Sequence, residues 1–526
     1  MKKSIMGISL LTLTCMYGLL GAIIILVTIV AGGQALLGIG ISIAVLIIQF
    51  LIAPFLTDLS MRWFYKAKFD EQIPEYLKAF IEQECTKHNM KYPKIGIIHD
   101  GAPNAFTYGR TKNDARIVIT EGIYNLLNPE EVKAVVGHEI GHIVHYDMLF
   151  MTAVQVVPLV LYAIYEMLAN SSNNDNNDNK AAAIGWIAYI LYVISQYIIL
   201  YLSRTREYFA DAFSIEETGN PNALAEALVK IGFGLSTATN DAKHNVSKNN
   251  ALGIFDSKAS KAMVVTALEG NTVSKDKIKN AMKWEKWNPW AKWFEFNSTH
   301  PLISKRLLAI SSRSIDYGQE PYIIFDLQKP ESYVDDFLAE VLISFLPFMI
   351  LILGAIMGLI FINEDTNVLR YVGVVGLLFT ITLYIKFARA HKNKDYKETN
   401  VASLLGEVKV SHVTSIPCVL NGNIIGRGNP GCIFNEDFVI KDQTGIIFLD
   451  YNQPLTLLNK IFAIFKSQQY FDKNVTIKGW YRRSPVPYVE IKEWIVDGKT
   501  KKIYTYPLAK ALYAVLAVAC VVLIII

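Results

Sequence analysis

The chain has 526 residues, enough for several domains; 52% of them are hydrophobic and only 19% charged. That balance is too apolar for an ordinary soluble protein. A formal net charge of +4, with no basic stripe interleaved with aromatics, argues against nucleic acid as a partner.

The apolar residues gather in seven runs, at 5–30, 35–56, 149–169, 183–202, 337–362, 368–386 and 508–526. Each is close to the ~20 residues a helix needs to cross roughly 30 Å of hydrocarbon. One such run would read as a buried core helix; seven in one chain read as a multi-span membrane protein. The opening "MKKSIMGISLLTLTC" could pass for a signal peptide. However, the apolar run continues to Val30, longer than a signal core, and Thr14 before Cys15 makes a poor lipoprotein site. An uncleaved anchor fits better. Lys2 and Lys3 precede the first run, Arg62, Lys66 and Lys68 follow the second, Arg204 and Arg206 the fourth, and Lys386, Arg389, Lys392 and Lys394 the sixth. The opposite loops, 31–34, 170–180 and 363–370, are poor in Lys and Arg. Positive charge therefore predicts that 57–148, 203–336 and 387–507 face the cytoplasm. Cys418 and Cys432 could pair, but thiols on that side stay reduced, and the absence of a CxxC pair speaks against cysteine-based zinc binding.

In chain order, the first two runs form a tight membrane hairpin over 1–56. The stretch 70–90 predicts an amphipathic helix with Tyr76, Leu77, Phe80 and Ile81 on one side. A short strand follows in 92–100, then a β-hairpin from 104–110 and 115–120. Asn128, Pro129 and Glu131 occupy the N-cap, N1 and N3 positions of a helix with a capping box. The spans 149–169 and 183–202 form a second hairpin enclosing an Asn/Asp tract, and 201–219 continues as a helix to Gly219. Residues 240–280 read as polar and soluble. "MKWEKWNPWAKWFEF" (282–296) places four tryptophans within ten residues, a pattern equally suited to a core or to a membrane-interface belt. Spans at 337–386 precede a change of character. In 400–507, "EVKVSHV", "FVIKD", "GIIFLDY", "NVTIKGWYRR" and "YVEIKEWIV" read as short strands between turns, a separate all-β domain loosely similar to an OB-type barrel. A last span, 508–526, closes the chain.

The chemistry is concentrated in "HEIGH". His138 and His142 are one helical turn apart and can converge on one metal ion. Glu139, rotated about 100° from His138, can reach a water beside the ion without ligating it, and act as general base. His145 shares the face, but seven residues rise about 10.5 Å, so one ion cannot bond both His138 and His145. A two-histidine site needs a third protein ligand. "SRTREYFAD" (203–211) supplies Glu207, with Asp211 a turn later to accept the ring N–H of a ligand histidine. The competing reading is a solvated acidic helix face balanced by Arg204 and Arg206. The membrane hairpin favours the ligand reading, because its two ends emerge side by side.

HEIGH together with SRTREYFAD, with two spans before the motif and a hairpin between, resembles the HtpX/Ste24-like M48 zinc metallopeptidases, and the HtpX branch more closely. The likeness covers about residues 1–310. "NAFTYG" (104–109) is similar to the family's substrate-binding edge strand, which implies Asn104, Ala105 and Phe106 as substrate contacts. "THPLISKRL" (299–307) is similar to a late HP motif, which implies His300 near the site as an oxyanion donor. The resemblance implies a zincin-like (gluzincin), mainly helical protease domain with a small β-sheet over 57–320, interrupted by the membrane hairpin 149–202. It also implies one Zn2+ per chain held by His138, His142 and Glu207, and an endopeptidase acting on membrane or misfolded protein substrates at the cytoplasmic face. Residues 320–526 depart from the family. A non-catalytic membrane scaffold with a structural metal and a β interaction domain is the alternative, and a zinc hydrolase of lipid-linked substrates a third.

Overall fold

In the computed structural model, residue 21 and residues 34–100, 103–169, 178–234, 268–269, 272–273, 275–361, 367–428, 432–471, 473–484 and 487–526 are described. The first apolar run, most of the Asn/Asp tract and most of 240–280 lie outside them. The second run is part of α1 (Gln34–Trp63). Five described helices are long and apolar enough to cross a membrane. They are α5 (Asp147–Ala169), the membrane half of α6 (Asp178–Thr218), α11 (Val334–Phe361), α12 (Val368–Ala390) and α15 (Thr505–Ile525).

Between α1 and α5 the chain builds one compact unit. Helix α2 spans Glu75–Lys87, starting after Pro74. It turns Leu77 and Ile81 fully inward, with Tyr76 and Phe80 against the same core. Strands β1 (Lys94–Ile98), β2 (Ala105–Gly109) and β3 (Ala115–Thr120) form a sheet in the order β1-β3-β2. The hairpin is antiparallel as expected, β1 joins β3 in parallel, and β2 is an outer strand. Gly109 at φ +151° closes the hairpin where an added Cβ would strike the Asp114 carbonyl. Short α3 (Glu121–Leu126) leads to α4 (Pro129–Val144). The Asn128–Glu131 capping box forms reciprocally as the sequence predicts, and fixes where α4 starts.

Helices α5 and α6 pack as a hairpin around their own core, in which Val157, Leu161 and Ile164 meet Ala188, Ile199 and Leu202. Helix α6 continues without a break for 41 residues, out of the hairpin and along α4. The two helices come very close at Gly141, where a Cβ would lie 3.2 Å from Ala210 Cα and Phe213 Cβ. Ser214 Oγ donates to the Ala134 carbonyl at 2.6 Å in the same seam. Helix α7 (Pro221–Gly234) closes the core; a small pair, β4 (Leu268–Glu269) and β5 (Thr272–Val273), precedes α8 (Lys275–Trp287), α9 (Pro289–Phe296) and α10 (Ile303–Ser314).

The tryptophans are not all core residues. Trp284 and Trp290 are buried, whereas Trp293 is 47% exposed.

The C-terminal region corrects the all-β expectation in three ways. It contains α13 (Val401–Leu405) and α14 (Thr456–Phe465). "EVKVSHV" is not a strand: its buried Val408 and Val410 offer carbonyls to Asn288 and Trp284 side chains at 2.8 Å, stitching it to α8 and the start of α9. And the region is not separate, because Arg483 is fully buried with its guanidinium 4.6 Å over the Trp284 ring. The strand the sequence hid is β7 (Ile416–Arg427), whose Pro417 and Asn-Gly-Asn look like turn signals. Gly422 is needed there, since a Cβ would meet the Lys441 carbonyl at 2.4 Å. After the two-residue β6 (Lys397–Glu398), β7, β8 (Phe438–Lys441), β9 (Ile446–Asp450), β11 (Pro487–Val496) and β10 (Asn474–Arg483) pair in that ring order, and β10 returns to β7. The result is a closed five-stranded barrel with β9 and β11 parallel and α14 between β9 and β10. β12 (Lys499–Lys502) pairs with β11 and leads into α15.

Gly141→Val should force α4 and α6 apart. Overpacking of this kind costs about 1–3 kcal/mol, so the variant is expected to melt several degrees lower in detergent; an unchanged melting temperature would show that the seam tolerates the larger side chain.

Candidate metal centre

The α4–α6 contact sets the geometry of the site. His138 and His142 present their Nε2 atoms 3.1 Å apart on α4. Glu207, on the facing side of α6, places Oε2 3.6 Å from His138 Nε2 and Oε1 3.6 Å from His142 Nε2. One ligand atom from each residue falls within a common 4.8 Å span, the arrangement that holds a metal ion. Ligands about 2.0–2.1 Å from a tetrahedral ion stand about 3.3–3.4 Å apart, close to these separations. His145 is not among them. It caps α4 and packs edge-on against Phe213 at 5.7 Å.

The outer nitrogen of each histidine is also held. Asp211 Oδ1 is 2.9 Å from His138 Nδ1, the contact the one-turn spacing predicts. His142 Nδ1 is 2.7 Å from Asp147 Oδ2. Asp147 was not singled out in the sequence. It arrives because the chain reverses through Tyr146 at φ +58°, so that the first residue of α5 hangs beside His142. A carboxylate opening an apolar run is itself a signal that could have found it. Carboxylate–imidazole pairs of this kind fix the ring and its tautomer.

Two arginines complete the charge balance. Arg306, 1% exposed, reaches Asp211 through Nε at 2.8 Å and Glu207 through an Nη at 3.1 Å. Arg206 pairs with Asp147. Arg204 lies outside this network but is not mere charge balance either: it donates to the carbonyls of Glu295 and Ser298 at 2.8 and 2.7 Å, clasping the turn that carries His300. Glu139, Asp147, Glu207 and Asp211 are all buried here, and the two guanidiniums pair with three of them, Asp147, Glu207 and Asp211.

His300 Nε2 sits 3.2 Å from Glu207 Oε1, and its Nδ1 3.0 Å from the Thr299 hydroxyl. In this geometry the imidazole is directed at the ligand carboxylate. Glu139 is 1% exposed, and its Oε1 has no hydrogen-bond partner among the described residues. Burial pushes its carboxyl up to about 7, partly opposed by His142 and by Thr107 on β2. Burial likewise pushes His138 down to about 4, despite Asp211, which keeps the ring neutral and ready to ligate. Burial would lower His142 too, but the Asp147 hydrogen bond and the Glu207 charge outweigh it and raise the ring to about 9. Asn104, next to β2, bonds through its backbone to Thr120, and its Oδ1 is buried without a partner.

A helix-borne pair of histidines and a carboxylate crossing from a second helix, with a buried glutamate between the histidines, form a donor set that could hold a metal ion at the mouth of a membrane hairpin. Residues 71–314 match the family model described as Peptidase family M48. The "Protease HtpX homolog" of Methanothermobacter thermautotrophicus is 40% identical over 226 residues, covering 42% of this chain and 83% of that protein. That of Aeropyrum pernix is 28% identical over 280 residues, covering 51% and 82%. The crystal structure of S. mikatae Ste24p aligns with 58% of this chain and 65% of its own at 19% identity and a TM-score of 0.33. The chain belongs to peptidase family M48, among its HtpX/Ste24-like proteins. It is a multi-pass membrane protein and a metalloprotease by family.

Asp147→Asn and Asp211→Asn should each weaken metal binding about 10–100-fold by releasing one histidine ring, as measured by competition with a chromophoric chelator. Wild-type affinity in both would make these carboxylates bystanders.

Proposed function

We propose that the protein is a zinc-dependent endopeptidase that cleaves membrane or unfolded proteins at the cytoplasmic face of the membrane. The observation carrying this reading is the convergence of His138, His142 and Glu207, with the buried Glu139 between the two histidines on α4 and its Oε1 without a hydrogen-bond partner among the described residues. Two imidazoles and one carboxylate suit zinc and leave one position open, the pattern of a catalytic rather than a structural site. Zinc, when bound, would make water more acidic and polarise the scissile carbonyl.

The remaining work falls to the chain. Glu139 takes the proton of the attacking water and later passes it to the leaving amine; a carboxyl near 7 is well matched to both transfers. Asp147 and Asp211 hold the ligand histidines, and His300, then Arg306, keep Glu207 ionised against the cost of its burial. His300 steadies Glu207 through the contact at 3.2 Å, and serves as oxyanion donor only by turning away from it. β2 lies against α4 and is an outer strand of its sheet among the described residues; an extended substrate added there would be read mainly through its backbone, giving low sequence selectivity. Ala105 and Phe106 lie on that strand, and Asn104 beside it offers its Oδ1 to a substrate amide. The excess of Lys and Arg on 57–148, 203–336 and 387–507 supports the cytoplasmic side. Within this reading 57–320 is the protease domain, interrupted by the hairpin at 149–202. The barrel in 400–507, with the five-stranded Greek-key ring of an OB-type fold, recruits substrates or partners.

Glu139→Gln should keep its zinc and lose cleavage of an unfolded casein-type substrate by about 10²–10⁴-fold. Undiminished cleavage would sink the assignment. Glu207→Ala should lose zinc, and a chelator should silence the wild type until zinc is restored. Full zinc occupancy without Glu207 would point to another third ligand.

A further inference from the structure

Helix α14, on the barrel, faces two ways. Asn459, Phe462 and Ala463 turn toward the barrel, where Phe462 stacks on Tyr451 at 4.4 Å. Leu457, Leu458, Ile461, Ile464 and Phe465 form an unbroken outward stripe at helical spacing, and Leu457 and Phe465 are 72% and 77% exposed. A soluble barrel does not expose so large an apolar face without a partner.

One end of α14 is tied to the foot of the membrane helix α15 and the other to the end of α1, which carries the second apolar run. Before its N-terminus, Asn452 accepts a hydrogen bond from the hydroxyl of Thr505, the first residue of α15. Gln453 bonds both sides of the same junction, donating to the Lys502 carbonyl and accepting from the Tyr504 amide at 3.1 Å each. Near its C-terminus, Arg427 donates to the carbonyls of Ala463 at 3.1 Å and Cys432 at 2.9 Å. Phe434, two residues on, packs at 5.7 Å on Phe64, the residue after α1 ends. A ten-residue helix, about 15 Å long, thus runs between the foot of α15 and the foot of α1. β12 carries exposed Lys499 and Lys502, with Lys501 Nζ bonded to the Tyr470 hydroxyl, and Lys466 follows the helix.

We propose that α14 lies in the membrane interface, its outward stripe sunk into the boundary between headgroups and acyl chains and the β12 lysines against anionic headgroups. A bilayer is the occupant because one tether ends at the foot of the span α15 and the other at the end of α1, which carries the second apolar run, and because the helix start is bonded to the lysine-bearing β12–α15 junction; apolar stripe with basic rim is the combination that holds amphipathic helices on anionic membranes. The barrel is thereby clamped to the membrane surface instead of swinging free in water.

The test is site-specific photo-crosslinking of the full chain reconstituted in vesicles. Benzoylphenylalanine replaces Leu457 or Phe465 in separate proteins, with exposed Glu130 at the far end of α4 as the aqueous control. Vesicles are phosphatidylcholine alone or mixed with phosphatidylglycerol, and each protein must elute as the wild type does before irradiation. Phospholipid adducts at 457 and 465, absent at 130 and more abundant in the anionic vesicles, are expected. Combining Lys499→Glu and Lys502→Glu should abolish the dependence on anionic lipid. Adduct yields at 457 and 465 no higher than at 130, or adducts only to protein, would overturn the proposal; a dependence that survives the lysine substitutions would overturn the role of β12.

Discussion

The site depends on α6 being one rigid helix from inside the membrane hairpin to Thr218. Glu207 and Asp211 belong to a segment with no freedom to drift relative to the span behind them. Helix α5 begins three residues after α4 ends, so the hairpin returns α6 beside α4. Membrane packing of α5 on α6 thus becomes positional accuracy at the ligands. Gly141 converts that proximity into contact, by letting the α6 backbone approach to where a side chain would otherwise stand.

Bringing four carboxylates into a nearly dry volume is unfavourable unless each is met by a cation or a strong donor. Arg306 and Arg206 meet part of this demand, and the histidines and the implied ion the rest. The arrangement makes Arg306 more than a neighbour. It comes from α10, far along the chain, and locks that helix and the His300 turn onto α6. Removing one partner of such a buried pair typically costs about 3–5 kcal/mol, so substitutions at Arg306 would be expected to disturb folding and metal binding together.

What could be read from the sequence follows from how local each feature is. The capping box, the His138/His142 pair and the Glu207/Asp211 turn are fixed by helical period, so they were legible residue by residue. The joining of the two pairs was legible because a membrane hairpin permits only one return path. Asp147 and Arg306 were not picked out, because nothing local tells a buried charge from an exposed one. β7 is hidden for the opposite reason: Pro417 and Asn421-Gly422-Asn423 carry strong turn signals that ring closure with β8 and β10 overrides. In "EVKVSHV" a two-residue alternation was present, yet the hydrogen bonds went to Trp284 and Asn288 and not to a neighbouring strand.

The barrel and the protease unit share a core through Arg483 and Trp284, while the barrel also touches the feet of α1, α12 and α15. Its position against the protease unit is therefore built in. The central claim remains the metal centre formed where α4 meets α6. Zinc-edge X-ray absorption of the detergent-purified protein tests it most directly. The account predicts two imidazole nitrogens and light oxygen ligands at about 2.0–2.1 Å, with no sulfur. A shell containing sulfur at about 2.3 Å, or one with three or more imidazoles, would contradict it.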